Sequence, residues 1–442
     1  MINNTAQTAN NILSSFCRKI AGIVFTVLAL CTLFLLIFVN GNVKILMLYA
    51  NTVLIISLII IYKNTFNKYE VCIFCVLCSM LLAYAPNFGK MDPLVATSYV
   101  LSYRYGISSR SLIATFIDII THGQFISNIF VWHFIFCSTV FISFIISVYL
   151  GHIIQSANNK NRLFISCVSL VYLSCFTGPT AYFVPANFGR VEVYVLLFML
   201  ILLIVVGKQK LRWIIPVLAL FTLATHIILV FFYIPFIGII LLYQIIEMKD
   251  TRKSTIGLFI ATVCVVMIGF IFYLIFRKSF FIFYSSSEFY LHIIEKTNLD
   301  VTENLLQATM YGDLDYHLNG WKSKMSSLED AGNLLLCVII NIPLLIAFIV
   351  FWINCFKKSI NKASKFIFAL TILVIPFQAI AFFIFFDYGR WMVMVITIQF
   401  LLLFFIIYQN NIIVNIVIRE AYPFLKKRQY IIMCINGNFW SR

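Results

Sequence analysis

Charge is what this sequence lacks most. Only 11% of its 442 residues are Asp, Glu, Lys or Arg, less than half the roughly 25% of a soluble domain. By contrast 62% are hydrophobic and the mean hydropathy is +1.00. Such a chain cannot cover a water-facing surface, which excludes a soluble enzyme, a secreted disulfide module and a disordered protein. Acids are scarcer than bases, 16 against 32; in so apolar a chain the positive surplus reports orientation in a bilayer rather than nucleic acid as a partner. The two longest polar stretches hold none of the 12 cysteines, so no disulfide framework is implied. No glycine-rich nucleotide loop, soluble domain or internal repeat is present, which speaks against ATP-driven transport. No small-residue cleavage site follows the first apolar run, 21–39, which reads as a first span with an internal N-terminus.

What is present is a series of apolar runs, each about the 20 residues needed to cross a bilayer as a helix. Beyond 21–39 they fall near 45–62, 70–86, 127–154, 163–182, 191–207, 213–226, 228–246, 255–276, 333–356, 366–386 and 391–409. The expectation is an all-α, polytopic membrane protein of about twelve spans with both ends inside; 191–207 and 213–226 are short for the task. This topology places 21 of the 32 bases, but only four of the 16 acids, in the internal segments. The inverse would put those 21 bases outside, against the rule that Lys and Arg stay on the cytoplasmic side. Two external loops exceed what a connection requires, 87–126 and 277–332; the second carries half of all the acids. Loops of that length are functional or disordered.

Within the apolar run 70–86, Cys72, Cys75 and Cys78 have a metal-like spacing, but no His lies near them in the sequence, and buried cysteine behaves as a small hydrophobe. No metal or cofactor is expected.

The first long loop begins with Asp92-Pro93, an N-cap followed by proline at the first helical position. Gly106 breaks that helix, and Ser108 or Ser109 is placed to cap a second, in which Leu112, Ile113, Phe116, Ile117 and Ile120 share one face as in an interfacial helix. Arg104 and Arg110 then flank a glycine turn at the outer headgroup level, where they either snorkel to phospholipid phosphates or line a shaped site. Two short external turns repeat the theme: Asn187-Phe188-Gly189-Arg190, followed by Glu192, and Phe386-Asp387-Tyr388-Gly389-Arg390-Trp391. Asp387 can hold the Arg390 guanidinium or share a substrate with it. Arginine suits such places because its fork binds phosphate in bidentate fashion and keeps its charge. Several arginines together can hold a lipid diphosphate and stabilise the charge that develops as it leaves. His226, at the external end of a short span, is a general-base candidate or a capped helix-end histidine. In the second loop Asp313, Asp315 and His317 lie among tyrosines, a mixture suited to sugars and equally to a solvated loop.

In layout the chain resembles the Wzy-type O-antigen polymerases, which are similar in fold to the O-antigen ligases of the GT-C superfamily. The resemblance rests on the span number, the enlarged late loop and three short pieces: YRYGISSRSL at 103–112, NFGR at 187–190 and FDYGRW at 386–391. It implies a GT-C-like fold in the bacterial inner membrane and transfer of a growing glycan from undecaprenyl diphosphate to another lipid-linked repeat unit at the periplasmic face. It also implies a chain-length regulator as partner. On this reading Arg104, Arg110, Arg390, Asp387 and His226 carry catalysis, and Arg190, Asp92, Asp313, Asp315 and His317 bind substrate. The ligase-like arrangement of arginine and histidine in the late loop is not recognisable here. Two other readings stay open: a GT-C transferase using a polyprenyl-phosphate sugar, with Asp92 as its catalytic acid, and a lipid-linked oligosaccharide flippase.

Overall fold

In a computed structural model the chain is built of helices. Residues 66–423 are described, except 109, 176, 228–229, 248–251, 277–281, 284, 312–326, 380–387 and 422. The expected spans at 21–39 and 45–62 lie outside the described residues. So do Asp313, Asp315, His317 and Asp387.

The helices are α1 (Lys68–Tyr84), α2 (Pro93–Ser98), α3 (Ser111–Ile120), α4 (Asn128–Ser156), α5 (Asn159–Ser174), α6 (Glu192–Val206), α7 (Ile214–Thr225), α8 (Val230–Glu247) and α9 (Arg252–Phe276). They continue with α10 (Ser286–Lys296), α11 (Glu303–Tyr311), α12 (Leu328–Lys358), α13 (Lys362–Ala379), α14 (Tyr388–Tyr408) and α15 (412–421). Among the described residues there is no strand, only an isolated parallel bridge between Ile126 and Thr297. The chain is an all-helical membrane protein: six described helices are long and apolar enough to cross a bilayer.

Capping sets several boundaries. Asn67 accepts from the amides of Tyr69 and Glu70, while Glu70 reaches back to the Asn67 amide, a complete capping box at α1. Asp92 accepts from Leu94 N at 2.9 Å with Pro93 at the first helical position of α2. Ser127 and Asn158 cap α4 and α5 in the same way. At α3 the structure differs from the expectation for Ser108: its Oγ pairs with Ser111 Oγ at 2.6 Å, and Arg110 stands in the N-cap position without a side-chain capping bond; Ser109 lies outside the described residues. The apolar set of α3 also divides, with Ile113 and Ile117 buried against the protein while Phe116, Ile119 and Ile120 are exposed.

Burial ranks the spanning helices. In the apolar window of α14, 94% of residues are inside the protein, against 11% in α9 and in α12. A helix apolar all round and enclosed all round is a core helix; α14 is that core, and α9 and α12 present their flanks to lipid.

The hairpin α6–α7 positions the site. The two helices have 15 and 12 residues, about 22 and 18 Å at 1.5 Å per residue, against a hydrocarbon thickness of about 30 Å. Arg212 fixes the turn: its Nε donates to Val206 O at 2.6 Å, the last carbonyl of α6, and its terminal nitrogens reach Thr255 Oγ1 at 3.1 Å and Gln244 Oε1 at 3.3 Å. A cation on a helix C-terminus is favourable. Because the helices are antiparallel neighbours, the start of α6 (Glu192) and the end of α7 (His226) lie at the same end, and a hairpin this short leaves a recess there relative to a full span.

Candidate functional site

Three segments meet at that recess. From the first long loop comes Arg110; from the hairpin come Glu192 and His226; from the first turn of α14 come Arg390 and Trp391. Arg110 Nε donates to His226 Nε2 at 3.1 Å. Arginine does not give up its proton, so Nε2 is the acceptor and His226 is the neutral Nδ1–H tautomer. The His226 ring stands edge-on to Trp391, centroids 5.9 Å apart, and Arg390 Cζ lies 5.5 Å from the centre of the same indole. Arg390 Nη1 donates to Glu192 Oε1 at 2.6 Å, with Arg390 only 6% and Glu192 0% exposed. Phe232 of α8 stacks on Trp391 at 5.5 Å and 13°, holding the indole from behind.

The local sequence explains how these groups stay in place. α7 ends at Thr225 and His226 turns to extended backbone (φ −164, ψ 115), which swings the imidazole out of the helical stack. Gly189 takes φ +89 and its carbonyl accepts from Tyr99 Oη at 2.8 Å. A Cβ there would lie 2.9 Å from Val95 Cγ1 and nearer still to Ile135. Only glycine fits that approach, and it sets the entry of the chain into α6 three residues before Glu192. Tyr99 Oη also lies 3.0 Å from Tyr194 Oη. Burial, then Tyr194, then the Glu192 carboxylate hold the Tyr99 phenol well above its usual range.

No known protein family, no curated protein and no solved structure matches the chain.

The other candidates are placed as follows. Arg190 points to Asp92, Nη2 to Oδ1 4.0 Å, and its Nε donates to Ala186 O at 3.3 Å; the pair lies beside the recess because Arg190 is two residues before Glu192. Arg104 is on the other side of the Gly106 turn (φ +146). It is half exposed and 3.8 Å from Asp118, so it does not join Arg110. Asp118 also accepts from Ser102 Oγ at 3.2 Å.

The late loop seats on the first. Ile126 N donates to Lys296 O at 2.8 Å and Ile282 N to Tyr105 O at 3.2 Å, while Asn128 N donates to Asn298 Oδ1 at 2.7 Å. Phe283, Phe289 and His292 pack around Tyr105, with ring centroids 5.3 to 6.0 Å away. Among the described residues no cluster of three or more His, Cys, Asp or Glu is placed to hold a metal ion.

Glu192 and Trp391 were not among the candidate site residues. Each stands one or two positions from an arginine that was, and the signal available in the sequence was that both turns carry a second functional group within two residues of their Gly-Arg pair.

Proposed function

We propose that the chain is an O-antigen-type polymerase: a membrane glycosyltransferase of the bacterial inner membrane, GT-C-like, with about twelve spans, both ends cytoplasmic and its site facing the periplasm. The observation that carries this reading is the recessed series Arg110, His226, Trp391, Arg390 and Glu192. It combines two fixed cations, a neutral imidazole and an aromatic ring in one largely buried cluster.

The chemistry assigned to these residues follows from their bonds. A lipid-linked glycan brings a diphosphate, whose oxygens Arg110 and Arg390 can hold in bidentate fashion. When the diphosphate draws Arg110 away from the imidazole, His226 Nε2 loses its donor and becomes a base within reach of an acceptor sugar hydroxyl. The hydroxyl oxygen then forms the new bond to the donor sugar's anomeric carbon. Its proton passes to His226, and the old carbon–oxygen bond breaks with its electron pair going to undecaprenyl diphosphate. The arginines stabilise the charge that grows on that leaving group. Trp391, packed between Phe232, Arg390 and His226, holds the arginine and the imidazole in register. The acidic late loop, with Asp313, Asp315 and His317, and the Arg190–Asp92 pair would hold sugars further from the reacting bond, and a chain-length regulator is the expected partner. Asp92 already caps α2 and faces Arg190, which leaves a transferase with Asp92 as its catalytic acid without support.

The test is a gel of surface polysaccharide from cells lacking the gene beside complemented cells. Loss of the ladder with retention of a single repeat unit on the lipid core is the expected result. A surviving ladder with an altered repeat would instead indicate a modifying transferase, and loss of even the single unit a flippase.

A further inference from the structure

Beside the recess runs a groove of about 360 Å³ whose walls are Tyr103, Ile107, Leu220, Leu223, Gly269 and Phe272, within the size range of small-molecule sites. Its sides are α7 and α9, and the first loop closes one end. The outer flank of α9 next to it is bare: Ile268 is 67% and Phe272 49% exposed, so the groove opens sideways toward lipid. At its closed end it is tied to the charged pair on two chains at once. Ser108 lines the groove two residues before Arg110, and Ala224 lines it two residues before His226; Tyr103 Oη donates to Ala224 O at 3.0 Å and locks the two chains together. The closed end of this apolar slot is therefore two residues along the chain from each member of the Arg110–His226 pair.

Gly269 sets how closely α7 and α9 approach at the slot. A Cβ at that position would stand 2.7 Å from Leu223 Cδ2 and 3.2 Å from Leu220 Cδ1, so a larger residue pushes those two wall side chains out of place. A second groove, about 240 Å³ between α8, α9 and α13, includes Pro235, Gly238, Phe259, Val263 and Leu370 in its walls and no charged residue; it offers nothing to a headgroup.

We propose that the α7–α9 groove binds the tail of a polyisoprenyl phosphate or diphosphate, entering sideways from the membrane with its phosphate on Arg110. This deepens the polymerase reading and rests on it for the choice of lipid. The occupant carries one chain because the slot lies between a single pair of helices; a diacyl phospholipid would leave its second chain outside. Walls without charge, and a guanidinium two residues beyond the closed end, match an apolar tail with an anionic head.

The experiment is native mass spectrometry of the full chain in detergent, titrated with undecaprenyl phosphate against a background of phosphatidylglycerol. The wild type is expected to retain undecaprenyl phosphate in preference. Gly269→Leu and Leu220→Trp, which fill the slot from opposite sides, should each weaken that binding by roughly tenfold or more, equivalent to about 1.4 kcal/mol. Arg110→Ala should weaken it as well, while Ile268→Trp, on the lipid-facing flank, should leave it unchanged. If Gly269→Leu does not fold, Leu220→Trp decides. Equal competition by phosphatidylglycerol, no binding by the wild type, or wild-type binding by the foldable groove variants would overturn the assignment. Failure of the polymerase reading is separable: selective binding that the groove variants abolish, in a strain whose deletion leaves the polysaccharide ladder intact, keeps the groove and removes the polymerase. Loss of the ladder on deletion with groove variants that bind normally does the reverse.

Discussion

Arg110 and His226, 116 positions apart in the chain, meet through a 3.1 Å bond from the guanidinium Nε to the imidazole Nε2. The bond has a direction, since only the arginine has the proton to give. It stores the imidazole in the neutral form with its basic nitrogen covered, so that a negative ligand which attracts the arginine also uncovers the base.

The first prediction tests that coupling. His226→Gln keeps a polar side chain at the position but removes the base, and should slow polymer formation by about 10²–10⁴-fold, the range for a positioned general base, with little change in the amount of lipid-linked substrate bound. Arg110→Lys keeps the charge and lacks the Nε donor; it should weaken substrate binding and slow turnover together. Turnover of a purified lipid-linked repeat unit by the reconstituted protein distinguishes the two, and equal kinetics for His226→Gln and wild type would remove the histidine from the mechanism.

The Glu192–Arg390 pair makes a stability prediction. Both groups are buried and their contact is 2.6 Å. Removing one member strands the other charge, at about 3–5 kcal/mol, whereas replacing both with apolar residues of similar volume is close to neutral. Arg390→Met and Glu192→Leu should each lower the melting temperature in detergent markedly, and the double variant should melt closer to wild type than either single one. The double variant should nonetheless form no polymer, because the cation is gone.

Much of the helical frame is legible in the sequence because it is written locally. The apolar run at 127–154 and the helix Asn128–Ser156 agree within two residues at each end, and Asp92-Pro93 starts a helix because cap and proline act within one turn. What is not local is not legible. Asp387, three residues before Arg390, is the partner that proximity suggests and lies outside the described residues; what proximity does not suggest is that the guanidinium also meets Glu192, 198 positions away, a contact that only the tertiary fold makes. Arg104 and Arg110 look equivalent across their glycine turn, but a φ of +146 at Gly106 sends one toward Asp118 and the other toward His226. The capping role expected of Ser108 failed for a related reason: its hydroxyl found a nearer partner in Ser111.

Gly189 supports a third prediction. Its φ of +89 is a conformation that L side chains rarely adopt, and a Cβ would also press on Val95 and Ile135. Gly189→Ala should destabilise by about 1–3 kcal/mol through backbone strain alone, more with the clash. Because the same turn aims Arg190 and the start of α6, polymer length should fall in variants that still reach the membrane. Melting temperature and polysaccharide gels measured on one preparation test both halves; an unchanged melting temperature would show that the turn can relax.

The last prediction concerns the seat of the late loop on the first. His292 lies between Tyr105 and Phe283, ring centroids 5.6 and 5.0 Å away. Burial, with Lys296 and then Arg104 nearby, lowers its pKa below the usual 6.5, and Glu295 opposes them only in part. The sign follows from which state binds the proton more readily. With the seated form at the lower pKa, the unseated form takes up protons first as pH falls, so the seat is most stable above about pH 6.5 and weakens on acidification through that value toward the lowered one. Hydrogen exchange in 285–311 should therefore increase between pH 7.5 and pH 5.5 in the wild type. His292→Phe keeps an aromatic ring against Tyr105 without a titratable group, and should abolish that pH dependence while leaving exchange at pH 7.5 near the wild-type level. An equal increase in the variant would remove His292 as the source of the pH dependence.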